Sequence, residues 1–228
     1  MGQNTRIIKA AESRKMNFKV VTSKFLFLSL LLLALGANAS TKEPDVVIKD
    51  TVGGVLDRLS VEKEQLGAHP ERIYELIQEL VIPHFDFSSM SKWVLGKSNW
   101  KGASVEQRDV FVDQFRTLLV RTYARALLEY SQEEVKINEV KRNPNSNLVT
   151  VKTEVQQPGG DVGIPINYRM HISGGEWKIV DVAVDGISLV RSYRGSFASE
   201  IKSNGLDSLL GKLKDKNNKL ASSLRNKE

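Results

Sequence analysis

Cysteine is absent from this 228-residue chain, which excludes disulfides, thiol catalysis, thiolate metal sites and lipid attachment through a cysteine. Histidine is scarce. His69, His84 and His171 are the only three, and none stands at metal-ligand spacing from another histidine or a carboxylate. Each reads as a surface or hydrogen-bonded structural side chain. The sequence has no G-x-S-x-G elbow, no phosphate-cradling glycine loop and no dinucleotide fingerprint. Its longest apolar run, Phe25 to Gly36, has twelve residues against the ~20 that a membrane-spanning helix needs.

That run is placed instead as the core of a secretory signal. It stands behind Lys15, Lys19 and Lys24 and ahead of Ala37-Asn38-Ala39, the basic, apolar and small-residue order of a leader cleaved after Ala39. Met16 is an alternative start, because Met16 to Ala39 already holds the complete layout. Without residues 1–39, which carry six basic groups and one acid, the chain has 27 basic against 26 acidic residues and a net charge of +1 rather than +6. The pI of 9.4 therefore comes largely from the leader and gives no support to a nucleic-acid partner. An exported chain without cysteine is held by packing alone, and the periplasm is its simplest compartment.

After a polar linker from Ser40 to Asp45, residues Ile48, Val52, Val55, Leu56 and Leu59 fall on one helical face. The Gly53-Gly54 pair weakens that helix or lets a neighbour approach. Pro70 opens a second helix striped by Ile73, Leu76, Ile77 and Leu80, and Pro83 ends it. Asp86 caps a short helix that presents Phe87, Met90, Val94 and Leu95 and stops at Gly96, with Trp100 in the loop beyond. Ser104 and Gln107 form a capping box that opens the longest helix, whose apolar face runs through Phe111, Phe115, Leu118, Leu119 and Tyr123 to Tyr130.

From Val135 the period changes to two. Strands are predicted at 135–142, 148–156, 163–173 and 176–185, joined by turns at 143–147, 157–161 and Gly174-Gly175 into an antiparallel meander. Pro165 marks its strand as an edge or a bulge. Helix resumes at Ile187, and past Lys214 the chain turns polar and is expected to fray. The domain plan is thus a leader at 1–39, one domain at 40–214 and a polar tail at 215–228. Helices first, strands second and a helix last predict an α+β fold, with helices packed on one face of a curved four-stranded antiparallel sheet and an apolar cavity between them.

Few residues here carry chemistry. Asp86, Asp181 and Asp185 are the acids nearest apolar segments; they read as a helix cap and strand-end hydrogen bonds, with a buried general acid or base as the alternative. Arg191 and Arg194 are expected in surface ion pairs, with a bound phosphate as the alternative. Aromatic residues and methionine are the informative types, yet a filled core explains them as well as a cavity does.

Several separated stretches, in order, resemble one family. They are Phe85-Asp-Phe-x-x-Met90, Val94-Leu-Gly-x-x-x-Trp100, Gln107-Arg-x-x-Phe111, Phe115 with Leu118-Leu-Val-x-Thr-Tyr123, Trp177-Lys-Ile-Val-Asp-Val182, Asp185-Gly-Ile-Ser-Leu189 and Tyr193-Arg-x-x-Phe197. This set is similar to the MlaC family of toluene-tolerance proteins, from about residue 46 to 213. The resemblance implies a monomeric periplasmic phospholipid carrier without catalytic site or cofactor. It would exchange lipid with an outer-membrane lipoprotein complex and an inner-membrane ATP-driven transporter, and so maintain outer-membrane lipid asymmetry. The lining residues expected on that reading are Phe87, Met90, Val94, Phe115, Leu119 and Tyr123 from the helices, with Val151, Ile166, Tyr168, Met170 and Ile187 from the sheet and the junction after it. Two rival classes remain: a lipid-free periplasmic adaptor whose aromatics fill a core, and a small-molecule enzyme on a similar cone-shaped fold.

Overall fold

The computed structural model describes residues 41–129, 134–156 and 163–225, so the expected leader lies outside the described residues. Five helices come first: α1 (Pro44–Val61), α2 (Lys63–Ala68), α3 (Ile73–Leu80), α4 (Phe87–Gly102) and α5 (Val105–Glu129). The strands follow as β1 (Glu134–Arg142), β2 (Val149–Gln156), β3 (Ile164–Ser173), β4 (Glu176–Val184) and β5 (Ile187–Ser188). Helices α6 (Leu189–Asn204) and α7 (Leu206–Arg225) close the fold.

Helix boundaries follow local chemistry. The Asp86 carboxylate accepts the Ser89 N–H at 2.8 Å to cap α4, and Ser104 and Gln107 exchange reciprocal bonds of 3.0 and 3.1 Å ahead of α5. Ser188 caps α6 by accepting the Arg191 N–H, and Gly205, at φ 84°, ends it. Helix α4 does not stop at Gly96. That glycine leaves helical geometry at φ 77° and ψ 159°, and the helix resumes in a new direction, which puts Trp100 in a helix rather than a loop.

The strands form the expected antiparallel meander, in the order β1-β2-β3-β4-β5. A fifth strand of two residues, Ile187 and Ser188, joins the expected four, so helix resumes at Leu189 instead of Ile187. Pro165 lies in β3, an interior strand, without a bulge at its position. Its carbonyl accepts from Asp185 N–H in the turn, so its missing N–H points past the last paired residue of β4 and no ladder bond is lost.

Strand β4 carries the main irregularity. Arg169 faces Asp181 and Met170 faces Ile179, which leaves Val180 as an extra residue. Ile179 and Val180 are both buried but belong to different clusters. Ile179 joins Val149, Val151, Met170, Trp177 and the α1 residues Val47 and Ile48 on the sheet. Val180 joins a helical cluster built on Met90, Phe111, Phe115, Val190, Phe197 and Leu213. A third cluster holds Val55 and Leu59 of α1 against Leu66, Ile73, Leu76, Ile77 and Ala124.

The chain does not fray at Lys214, because α7 continues to Arg225 with Leu213 and Leu220 packed on the helical cluster. Asn217 is 2% exposed; its side-chain amide donates to the backbone carbonyl and side-chain oxygen of Gln114, and its backbone carbonyl accepts from Arg121. Polar sequence here conceals a side chain that docks one helix on another.

Two carboxylates, one buried and one half-buried, join sheet to helix. Asp181, 3% exposed, accepts the Ser188 hydroxyl at 2.6 Å and the Val190 N–H at 3.1 Å, which ties β4 to the start of α6. Asp86 accepts the Ser89 hydroxyl at 2.8 Å and lies 2.9 Å from His171 Nε2, tying α4 to β3. Burial raises the Asp86 pKa, but the two Ser89 bonds and His171 outweigh it and hold the carboxyl below its ordinary value.

Replacing Asp181 by Ala leaves a hydroxyl and an N–H without a partner and is expected to lower stability by about 2–4 kcal/mol, with Asp181→Asn costing less; urea unfolding of the three proteins checks this. The Asp86 carboxyl has a depressed folded pKa, so its stabilisation is complete above the unfolded value of about 3.9 and disappears as pH falls through the folded value. Asp86→Ala should therefore be less stable than the parent at neutral pH and approach it in acid. A stability difference that does not change between neutral and strongly acidic pH would contradict the assignment.

Candidate functional site

Three rows of side chains cross one face of the sheet. Register places Val149, Met170 and Ile179 in the first, Val140, Val151, Tyr168 and Val182 in the second, and Ile137, Thr153, Ile166, Val184 and Ile187 in the third. Arg142 pairs with Val149 at the β1 edge of the first row and lies 5.9 Å over the Trp177 ring; inside the three rows no carboxylate, ammonium or guanidinium intervenes.

Cover over the rows is uneven. Val47, Ile48 and Trp177 pack on the first row, and Val149 at 5% is its most exposed member. In the second row Val151 is buried, while Tyr168 and Val182 keep part of their surface. In the third, Thr153 is buried, Ile166 is half-buried, and exposure climbs to 39% at Val184 and 64% at Ile187. A further row of Val135, Val155 and Ile164 follows, with Val155 buried, so the face opens at its β4–β5 edge; an apolar face open there can take a long apolar group, at about 25 cal/mol per Å² removed from water.

Helix α1 crosses this region in two halves. Its first half joins the sheet cluster, and from Val55 onward it belongs to the cluster with α2, α3 and α5. The handover falls at Gly53-Gly54, where an added Cβ would meet nothing within 4 Å. Nothing approaches the glycine pair closely, contrary to one of its sequence readings; the space beside it is open. Val52 and Phe85, packed at the margin of the sheet cluster, also keep accessible surface.

Tyr168 reports most directly on this space. Burial pushes its phenol up to about 12, against a weaker opposing effect of a hydrogen bond with Thr153. The hydroxyl therefore sits deep in the fold, yet the residue is only half-buried.

The eleven residues singled out from sequence separate into two groups. Met90, Val94, Phe115 and Leu119 are buried in the helical cluster with Val190, Phe197, Leu209 and Leu213, and Phe87 packs at its edge, stacked on Phe85 at 5.4 Å. Phe115 meets Tyr193 and Phe197 edge to face. Val151, Ile166, Tyr168, Met170 and Ile187 share the sheet face, and Tyr123, 40% exposed, lies beside α6, within hydrogen-bonding reach of Tyr193. Burial first, then Tyr123, drives the Tyr193 phenol to about 12.

Val52, Phe85, Val182 and Val184 belong to the same face and were not singled out. Alternation within β4 could have found Val182 and Val184, but the extra residue Val180 reverses the count between Ile179 and Val182.

Other clusters are less suited to a reaction. Ser89 and His171 both bond to the same Asp86 carboxylate, so the imidazole is not positioned to take the hydroxyl proton as a nucleophile's base must. Among the described residues no group of three His, Asp or Glu side chains is placed to hold a metal ion. An open cleft of about 470 Å³ lies where α3, α5 and α7 meet, lined by Glu71, Tyr74, Gln78, Thr117, Val120, Arg121 and Ala221. Its lining mixes the charged Glu71 and Arg121 with Tyr74, Val120 and Ala221.

Comparison with known proteins follows the same lines. The family described as MlaC protein matches residues 49–215. The chain is 29% identical over 181 residues to the toluene tolerance protein Ttg2D of Pseudomonas putida, covering 78% of this chain and 83% of that protein. It is 24% identical over 188 residues to the intermembrane phospholipid transport system binding protein MlaC of Haemophilus influenzae, covering 82% and 87% respectively. A solved phospholipid-binding protein from Ralstonia solanacearum, in complex with a phospholipid, superposes with a TM-score of 0.72 at 26% identity, over 79% of this chain and 99% of that one.

Proposed function

The chain belongs to the MlaC family, and from that premise we propose that it carries phospholipid through the periplasm with the acyl chains laid along the open part of the sheet face. The observation that supports this most is the gradient of cover across the three rows, from buried Met170 and Ile179 through half-buried Tyr168 to exposed Val184 and Ile187. The leader at residues 1–39 would deliver the protein to the periplasm. Its exchange partners would be an outer-membrane lipoprotein complex and an inner-membrane ATP-driven transporter, and its role would be non-catalytic.

Physical chemistry requires an escort. At about 0.8 kcal/mol per methylene, some 30 methylenes disfavour a free phospholipid in water by on the order of 24 kcal/mol. An empty apolar void is costly in turn, about 24 cal/mol per Å³, so a cavity of ~500 Å³ left dry would cost on the order of 12 kcal/mol. That is comparable with the whole stability of a domain, about 5–15 kcal/mol. The protein should therefore hold lipid when purified or close over the face when empty.

Within this reading Ile166, Tyr168 and Ile187 line the path of the chains, while Val151 is buried beneath them, Met170 lies in the row that α1 covers and Tyr123 stands beside Tyr193 of α6. Phe87, Met90, Val94, Phe115 and Leu119 form the packed layer that holds α4 and α5 in place behind it.

Native mass spectrometry of the purified protein, followed by solvent extraction, tests the carrier directly. A stoichiometric phospholipid is expected, and a lipid-free mass unchanged after incubation with vesicles would refute it. Ile187→Glu places a charge on the bare end and should abolish bound lipid while leaving the fold intact by circular dichroism. Met90→Ala should do the reverse, lowering stability by about 2–5 kcal/mol with lipid stoichiometry unchanged.

A further inference from the structure

One cavity lies apart from the sheet face. The cleft of about 470 Å³ where α3, α5 and α7 meet shares no lining residue with the apolar rows. Its size falls within the ~300–1,000 Å³ usual for small-molecule sites. One wall holds Glu71, in the short turn of helix Pro70–Arg72 ahead of α3, then Tyr74 and Gln78 of α3, each about one helical turn from the next. The other holds Thr117, Val120 and Arg121 of α5, with Ala221 of α7 beside them.

Three groups in this cleft lack the partners that burial or charge calls for. The Tyr74 hydroxyl oxygen is buried and has no hydrogen-bond partner among the described residues. Burial raises its phenol above the ordinary value, and Arg121 works against that, which places the guanidinium near the phenol. Arg121 is half-buried; one Nη donates to the backbone carbonyl of Asn217 at 2.6 Å, and the side chain meets no carboxylate among the described residues. Glu71, at the exposed rim, has His69 Nδ1 at 3.3 Å and no guanidinium or ammonium. Arg191 and Arg194, exposed on α6, likewise meet no carboxylate among the described residues, so the ion pairs expected of them from sequence are not made. What sets Arg121 apart is the cleft and the buried hydroxyl beside it.

We propose that this cleft binds a small zwitterionic phosphate ester of the phosphoethanolamine kind, with the phosphate on Arg121 and Tyr74 and the ammonium on Glu71. A guanidinium offers several N–H donors to phosphate oxygens, and the phenol adds an O–H whose burial without a partner is otherwise costly. A simple anion would leave Glu71 facing negative charge, and a simple cation would leave Arg121 facing positive charge. A zwitterion uses both, and Val120 and Ala221 can pack on the carbons between. Glu71 and Arg121 line one cleft without bridging each other, so the ligand must span them. That favours charges joined through two carbons over an α-amino acid, whose charges share one carbon. The same group occurs free in water or as the headgroup of a phospholipid, and the cleft chemistry is common to both.

Isothermal titration with phosphoethanolamine, inorganic phosphate and ethanolamine tests the site, on the protein as purified and after delipidation. One phosphoethanolamine per chain is expected, bound at least about tenfold more tightly than either fragment, because linked contacts reinforce each other. Binding by both preparations would assign the cleft to the free ester; binding only after delipidation would assign it to the headgroup of a carried lipid. Tyr74→Phe should weaken phosphoethanolamine by about two- to tenfold, the worth of one hydrogen bond, without lowering the urea midpoint, because the hydroxyl has no protein partner to lose. Glu71→Gln should weaken phosphoethanolamine and leave inorganic phosphate unchanged. Absence of phosphoethanolamine binding in both preparations, equally tight binding of inorganic phosphate, or parental binding by both variants would each overturn the proposal. A lowered midpoint in Tyr74→Phe would assign the hydroxyl to the fold and overturn its role. The proposal stands apart from the carrier reading: a lipid-free mass for the purified protein would refute the carrier and leave the titration to decide the cleft.

Discussion

Everything in this fold turns on how β4 divides its side chains between two hydrophobic layers. One extra residue at Val180 lets Ile179 stay with the sheet while Val180 enters the helical cluster, and it brings Asp181 to the start of α6. A regular strand would alternate strictly and, after Ile179, would turn Asp181 rather than Val182 to the sheet face; the extra residue keeps Val182 on that face and sends Asp181 to the helices. The Asp181 carboxylate then holds Ser188 and the N–H of Val190, so α6 begins where the short β5 ends. Because the chain turns here, Ile187 is left at the end of a sheet row, 64% exposed.

The same division separates stability from binding. Phe111, Phe115, Met90 and Val94 lie in a layer closed by α6 and α7, where aromatic edges and apolar side chains leave little accessible surface. The sheet face has no such lid along its whole length. Helix α1 covers its inner end and then departs to α3 and α5. A protein organised in this way can leave part of an apolar surface uncovered without loosening its core, because the two layers share β4 but few other residues. The cost of the uncovered part, on the order of 25 cal/mol per Å², is what a lipid chain would relieve.

Much of this was legible in the chain. The period-two stretches and their turns located four strands within a residue or so, because each side chain in a half-buried meander faces either core or water. The capping groups Asp86 and Ser104 acted as expected, since an N-cap depends on atoms only two or three residues away. Trp100 and Asn217 were misread for the opposite reason. Gly96 permits a change of direction as readily as a stop, and only the neighbouring helices decide which occurs. Asn217 looks polar in sequence and is buried by Gln114 and Arg121, about a hundred residues earlier in the chain.

The candidate site divides in the same way. Sequence periodicity determined that β2 and β3 present apolar faces, and with them Val151, Ile166, Tyr168 and Met170, because alternation is a property of the strand itself. It also determined the signs and spacing of the cations on α4 and α6. It could not determine that Met90, Val94 and Phe115 would be enclosed by α6 and α7, that Gly53-Gly54 would stand beside open space, or that Arg191 and Arg194 would meet no acid among the described residues. Periodicity distinguishes an apolar side chain from a polar one but does not distinguish a filled contact from a vacant one. That difference depends on which distant helix lies opposite, and only tertiary packing settles it.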